Sequence, residues 1–166
     1  MEILDIVDIN GEIIGQAARN VAHGDNKLLH RVVHVLVFDD HGRLLLQKRS
    51  SNKDVAAGLW DTSVGGHIDQ GETIEQALKR ETKEELGITC FNPEFLYTYI
   101  HSNAFESELV YTYKCVYNGQ VVFNPDEIDE VCYWEMDRLL EVLNDGSFSD
   151  NFIHELKLYN EYLCAT

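Results

Sequence analysis

Three glutamates crowd into the run Arg80-Glu81-Thr82-Lys83-Glu84-Glu85-Leu86-Gly87-Ile88. On an α-helix, at about 100° per residue, Glu84 falls about 60° to one side of Glu81 and Glu85 about 40° to the other. The three carboxylates then share one sector of about 100°. Like charges this close repel unless a cation neutralises them. Hard divalent cations bind such oxygens, and Mg²⁺ keeps waters and bridges to substrate phosphates. The acidic sector continues the apolar stripe of Ile74, Ala77 and Leu78, so these acids turn toward the protein. On charge pattern alone the alternative is a solvated helix with Lys79, Arg80 and Lys83 as pairing partners. The glycine-dense loop Gly65-Gly66-His67-Ile68-Asp69-Gln70-Gly71 precedes the helix and lets backbone approach a ligand closely.

The full pattern is more specific. Gly66, Glu72, Arg80, Glu81, Glu84, Glu85, Gly87 and Ile88 match the Nudix box, G-x5-E-x7-R-E-U-x-E-E-x-G-U, across residues 66–88. Its fixed positions would match by chance about once in 10⁸ starting points, taking roughly 7% usage for each. Thr82 departs from it, standing where a large apolar residue is usual, which should weaken helix packing slightly and removes no ligand. The resemblance implies hydrolysis of a nucleoside diphosphate derivative or a related pyrophosphate. It places Mg²⁺ or Mn²⁺ on Glu81, Glu84 and Glu85, and has Glu72 and Arg80 brace the loop beside Gly66. The implied chemistry is in-line attack of an activated water on phosphorus, with a carboxylate taking the proton.

From about Glu2 to about Phe152 the chain also resembles the branch containing type I isopentenyl-diphosphate isomerases. By that resemblance His23, His30 and His67, with Glu106 and Glu108, form a second divalent-metal site, which a Zn²⁺ or Mn²⁺ ion would suit. Arg19, Arg49 and Lys53 match residues that hold the substrate diphosphate. Taken singly, each histidine reads as an ordinary packed or surface residue, and Glu106 and Glu108 as a solvated strand face. The isomerases need a cysteine where this chain has Gly65, and their box is degraded where this one is complete. Hydrolysis therefore keeps its ligands while isomerisation lacks its acid. The candidate catalytic carboxylates are Glu84, Glu85 and Glu108, and which one serves as base stays open. An isomerase-like enzyme and a non-catalytic nucleotide-sensing module are the alternatives. His34 reads as a satisfied core histidine, His41 as a turn residue, and His101 and His154 carry no signal.

Charge agrees with a phosphate substrate only through metal. The 166 residues hold 13 Lys+Arg against 29 Asp+Glu, a formal net charge of −16. Such a surface repels nucleic acid. No apolar run has membrane-spanning length, and the acidic N-terminus does not resemble a signal peptide, so a cytoplasmic location is expected. Cys90, Cys115, Cys132 and Cys164 form no CxxC pair and read as reduced thiols.

The elements that must position these residues read as one domain over residues 1–166. An N-terminal hairpin extension (1–22) turns at Asn10-Gly11. Strands are expected at Arg31–Phe38, Leu44–Gln47, Leu59–Val64, Phe95–Ile100, Leu109–Val116, Val121–Phe123 and Val131–Trp134. The capping box Thr73-Ile-Glu-Gln76 starts a helix that Gly87 stops. Helices at Leu139–Leu143 and Phe152–Leu163 close the chain. Strands, helix, strands, helices suit an α/β/α sandwich with a mixed central sheet, here of the Nudix type. Trp60 and Phe95 read as core residues rather than pocket lining. The stripe Phe152, Ile153, Leu156, Tyr159 leaves a homodimer open, or faces its own core.

Overall fold

The computed structural model describes residues 1–89 and 91–166, so the expectation for Cys90 lies outside the described residues. Strand β3 (Leu29–Phe38, LHRVVHVLVF) is the axis. Its β-branched run is buried almost throughout, as a strand covered on both faces requires. Along its whole length it runs parallel to β8 (Ser107–Val116), from Leu29↔Ser107 to Phe38↔Val116. Strand β7 (Glu94–Ser102) pairs antiparallel with β8. On its other side β3 meets three antiparallel partners in turn. These are β1 (Ile3–Val7) at His30, β6 (Val64–His67) from Val32 to Val35, and β4 (Leu44–Arg49) at Phe38. Strand β2 (Ile13–Ala18) completes the N-terminal hairpin on β1, while β5 (Trp60–Asp61) and β9 (Ile128–Trp134) flank β4. The sheet is mixed, as expected.

The pleat sorts β3 into two faces. Val33, Val35 and Val37 pack with Ala77, Leu78 and Leu86 of helix α2 (Ile74–Leu86). Leu36 and Phe38 pack against the opposite layer. That layer holds Leu139 of α3 (Met136–Val142) and Phe152, Leu156 and Tyr159 of α4 (Asp150–Ala165). Helices cover both faces, which makes an α/β/α sandwich. The expected capping box is present: Thr73 Oγ1 accepts from Gln76 N at 3.1 Å and Gln76 Oε1 accepts from Thr73 N at 2.9 Å. Gly87 ends α2 at φ 67°, where a Cβ would lie 2.8 Å from the Val122 carbonyl oxygen.

Several expectations need correction. The strand expected over Leu59–Val64 is two strands, β5 and β6, on different partners. Between them the Ser63 hydroxyl accepts from Val37 N at 2.9 Å and bonds the Leu45 carbonyl, stitching β3 to β4 where they diverge. Val121–Phe123 is not a strand. Val122 N and Asn124 N instead bond the carbonyls of Leu86 (3.0 Å) and Glu85 (3.2 Å), satisfying the end of α2. The last two helices begin earlier than expected, α4 because Ser149 caps it by accepting from Phe152 N. A short helix, α1 (Arg19–Ala22), is added. Phe95 is 52% exposed rather than core, whereas Trp60 packs on Trp134. The α4 stripe faces its own core. Cys115, Cys132 and Cys164 are free thiols. No helix is long and apolar enough to cross a membrane.

One polar knot fastens α4 to the sheet. The fully buried Glu155 carboxylate accepts from Tyr97 Oη and Thr112 Oγ1, both at 2.9 Å, and lies 3.2 Å from His34 Nδ1. Burial alone would depress the His34 imidazole, but the hydrogen bond and charge of Glu155 outweigh it and hold its pKa above the ordinary range. His34 is thus the satisfied core histidine expected.

Three stability outcomes follow. Glu155→Ala strands the His34 charge and should cost about 3–5 kcal/mol in urea unfolding, while a loss below about 1 kcal/mol would refute the knot. A raised folded pKa means the pair contributes below about pH 6.5 and fades as pH rises through the folded value. From about pH 6 to about pH 9 the wild type should therefore lose more melting temperature than Glu155→Gln. Thr82 is fully buried on α2 with a hydroxyl that finds no hydrogen-bond partner among the described residues. Thr82→Val should stabilise by about 1 kcal/mol, and a loss would show that the hydroxyl is satisfied.

Candidate active site

The three α2 glutamates take three different environments. Glu81 turns inward against Gly66, where a Cβ would overlap its carboxyl group. Arg80 Nη1 donates to Glu81 Oε1 at 2.6 Å. Glu85 also turns inward, accepting from Gln47 Nε2 at 3.1 Å and from Gly65 N at 3.0 Å. Burial, then the neighbouring Glu81 charge, pushes the Glu85 carboxyl up to about 8. Burial likewise raises Glu81. Glu84 faces solvent at 57% side-chain exposure, 3.4 Å from Arg80 Nη1. The glutamates share a helix sector as expected. Among the described residues, however, their oxygens do not gather within 4.8 Å of one another. Mutual repulsion accounts for the spread.

Arg80 is the brace. It grips Glu72 with two bonds of 2.8 Å and donates to the His67 carbonyl at 3.0 Å. That grip holds the Glu72 carboxyl below its usual range. Glu72 in turn accepts from Asp69 N, closing the loop onto the helix.

The expected histidines and second acid pair meet on the α4 side of the sheet. The rings of His23, His30 and His67 lie 4.9–5.3 Å apart. His23 Nε2 is 3.0 Å from His67 Nε2 and 3.3 Å from Glu106 Oε2. His30 Nε2 is 3.8 Å from Glu106 and 3.9 Å from Glu108. The parallel register makes the last meeting, setting His30 opposite Glu108. Among the described residues His30 Nε2 and Glu106 Oε2 are buried and find no hydrogen-bond partner. Orphaned polar atoms this deep call for a ligand. Burial, then neighbouring imidazole charge, depresses His23 to about 4 and His30 to about 3, so a proton is a poor occupant. Burial, then Glu106, raises Glu108 to about 7. Three imidazole nitrogens and two carboxylates suit Zn²⁺ or Mn²⁺, and the shorter spacings match ligands about 2.1 Å from a shared ion.

Strand β6 joins the two clusters. Gly65 N holds Glu85, Gly66 makes room for Glu81, and His67 reaches the histidines. The expected substrate cations are each paired with an acid. Arg19 lies 3.5 Å from Glu2, Arg49 lies 3.3 Å from Asp61, and Lys53 pairs with Glu127. Gln47, Glu2 and Asn151 were not anticipated. Only Gln47 left a trace, as a polar residue ending the apolar run Leu44-Leu45-Leu46.

Comparison with known proteins adds to this geometry. A family profile described as the NUDIX domain matches residues 28–156. A Yersinia pestis protein named an uncharacterised Nudix hydrolase is 34% identical over 141 residues, covering 80% of this chain and 72% of its own. A Photorhabdus laumondii protein named isopentenyl-diphosphate Delta-isomerase 2 is 33% identical over 149 residues, covering 87% and 84%. A Deinococcus radiodurans crystal structure superposes with TM-score 0.82 at 25% identity, covering 94% of this chain and 98% of that one.

Gly66→Ala should push Glu81 out of place and weaken Mn²⁺ binding by about 10–100-fold with melting unchanged, read by titration of free Mn²⁺. At Gly65 the atoms nearest a Cβ would be those of the His34 and Thr62 side chains at 3.2–3.3 Å, away from Glu81, so Gly65→Ala should bind Mn²⁺ nearly as the wild type does. Equal binding by both variants would dissociate Gly66 from the Glu81 position.

Proposed function

Since this chain belongs to the Nudix family, we propose that it is a divalent-metal-dependent pyrophosphohydrolase acting on a nucleoside diphosphate derivative or a related pyrophosphate. The observation that carries this reading is the complete acid set on α2, with Gly66 clearing space for Glu81 and Glu84 open to solvent. Mg²⁺ or Mn²⁺ held by Glu81, Glu84 and Glu85 would shield pyrophosphate charge and lower the pKa of a water.

The chain's own residues supply the rest. Arg80 and Glu72 keep the loop and helix in one piece, so Glu81 and Glu85 stay under the backbone of Gly65 and Gly66. Glu84 has the exposure to accept a proton from a water, which makes it our choice for general base. Arg19, Arg49 and Lys53 orient the diphosphate, which competes with Glu2, Asp61 and Glu127 for them. A second divalent cation is proposed on His23, His30, His67, Glu106 and Glu108, where the orphaned His30 and Glu106 atoms favour it.

An isomerase-like activity is the second reading. The His/Glu cluster with Glu108 and the isomerase-named relatives favour it. Gly65 opposes it, having no side chain where a thiol would be needed.

The test is release of phosphate or nucleotide from a panel of pyrophosphate compounds with Mg²⁺ and Mn²⁺, beside an isopentenyl diphosphate isomerisation assay. Release should occur from a panel member and fall about 10²–10⁴-fold in Glu84→Gln with the fold retained. Unchanged turnover in that variant would overturn the assignment of Glu84. Isomer formation without release would favour the second reading. Tight nucleotide binding without turnover would mean a sensor.

A further inference from the structure

The His/Glu cluster is held by residues that are not themselves in it. His67 Nδ1 lies 3.0 Å from Glu2 Oε1. A carboxylate only accepts, so Nδ1 carries a proton, and in the neutral ring Nε2 then keeps its lone pair. That lone pair faces His23 Nε2. Metal-binding histidines are oriented in this way, handing the far N–H to a carboxylate or carbonyl. Glu2 is itself fixed from behind: its carbonyl accepts from Arg19 N at 3.0 Å and its other carboxylate oxygen lies 3.5 Å from Arg19 Nη1.

Across the cluster, Asn151 Nδ2 donates to Glu108 Oε2 at 2.9 Å. Tyr99 Oη donates to Asn151 Oδ1 at 2.8 Å, which sets the direction of that amide. With Oε2 engaged, Glu108 presents Oε1 to His30. Asn151 sits on the first turn of α4, which the Glu155 knot fastens to the sheet.

We propose that Glu2 and Asn151 are positioning residues for a divalent cation at this cluster, Glu2 orienting His67 and Asn151 orienting Glu108. The inference rests on the cation reading of the cluster given under Proposed function. It makes the N-terminal segment part of the site, since Glu2 and His23 both lie outside the span 28–156 that the family profile matches.

The experiment is isothermal titration of the full chain with Mn²⁺ and with Zn²⁺, using Glu106→Gln to identify binding at the cluster. Wild type should show one more binding event than Glu106→Gln. Glu2→Ala and Asn151→Leu should weaken that event by about 10–100-fold and leave the remaining events unchanged. Glu2→Gln, which keeps an acceptor for Nδ1–H, should recover most of the affinity. Nitrogen-15 histidine spectra should show the His67 Nδ1–H tautomer in wild type and a tautomer mixture in Glu2→Ala. A packing role alone would leave both readouts untouched, and melting in chelator checks the fold of each variant. Wild-type affinity in both Glu2→Ala and Asn151→Leu would overturn the positioning role while leaving the cation site standing. A wild-type titration identical to that of Glu106→Gln would instead remove the cation site and this inference with it.

Discussion

Like charges must be held within a few ångströms of one another, and much of this structure serves that requirement. Unneutralised, the α2 glutamates would repel each other away from any common ligand. The chain manages them separately. Arg80 neutralises Glu81, the Gln47 amide and the Gly65 N–H satisfy the buried Glu85, and Glu84 is left to water. Gly66 can carry no side chain without displacing Glu81, which occupies that space. The loop, the Glu72–Arg80 brace and the bare strand β6 are thus consequences of where the acids sit.

The pleat of β6 puts the two clusters on opposite faces of one sheet. Glu81 and Glu85 reach β6 from the α2 side, while His67 points toward α4. The four residues of β6 lie between the two acidic groups and touch both. Burial raises both carboxyls of the second pair, Glu108 to about 7, and the readier protonation blunts the repulsion between Glu106 and Glu108.

What was legible in the sequence was what is local. The capping box, the Gly87 stop and the glutamate spacing all follow from helical periodicity, and each appears where expected. The hairpin turn at Asn10-Gly11 and the strand character of β3 were equally readable. The meeting of His23, His30, His67, Glu106 and Glu108 came from a family resemblance, since nothing in the spacing of those residues reveals a parallel register between β3 and β8. The pairing of His34 with Glu155, and the reach of Glu2 and Asn151, depend on side chains far apart in sequence and left no pattern to read. Val121–Phe123 misled because extended backbone next to a helix end looks like a strand when only composition is visible.

The parallel pairing of β3 with β8 also sets an order of assembly. His23 and His30 emerge early during synthesis, but Glu106 and Glu108 arrive only after the whole of α2 and β7, and Asn151 later still. Pairings this distant close slowly, because loop entropy must be overcome before the contact forms. The His/Glu cluster is therefore expected to form late in folding rather than to nucleate it. Glu108 gains its Asn151 partner only when the last helix has docked, so a cation proposed for that place would meet its full setting in a finished molecule.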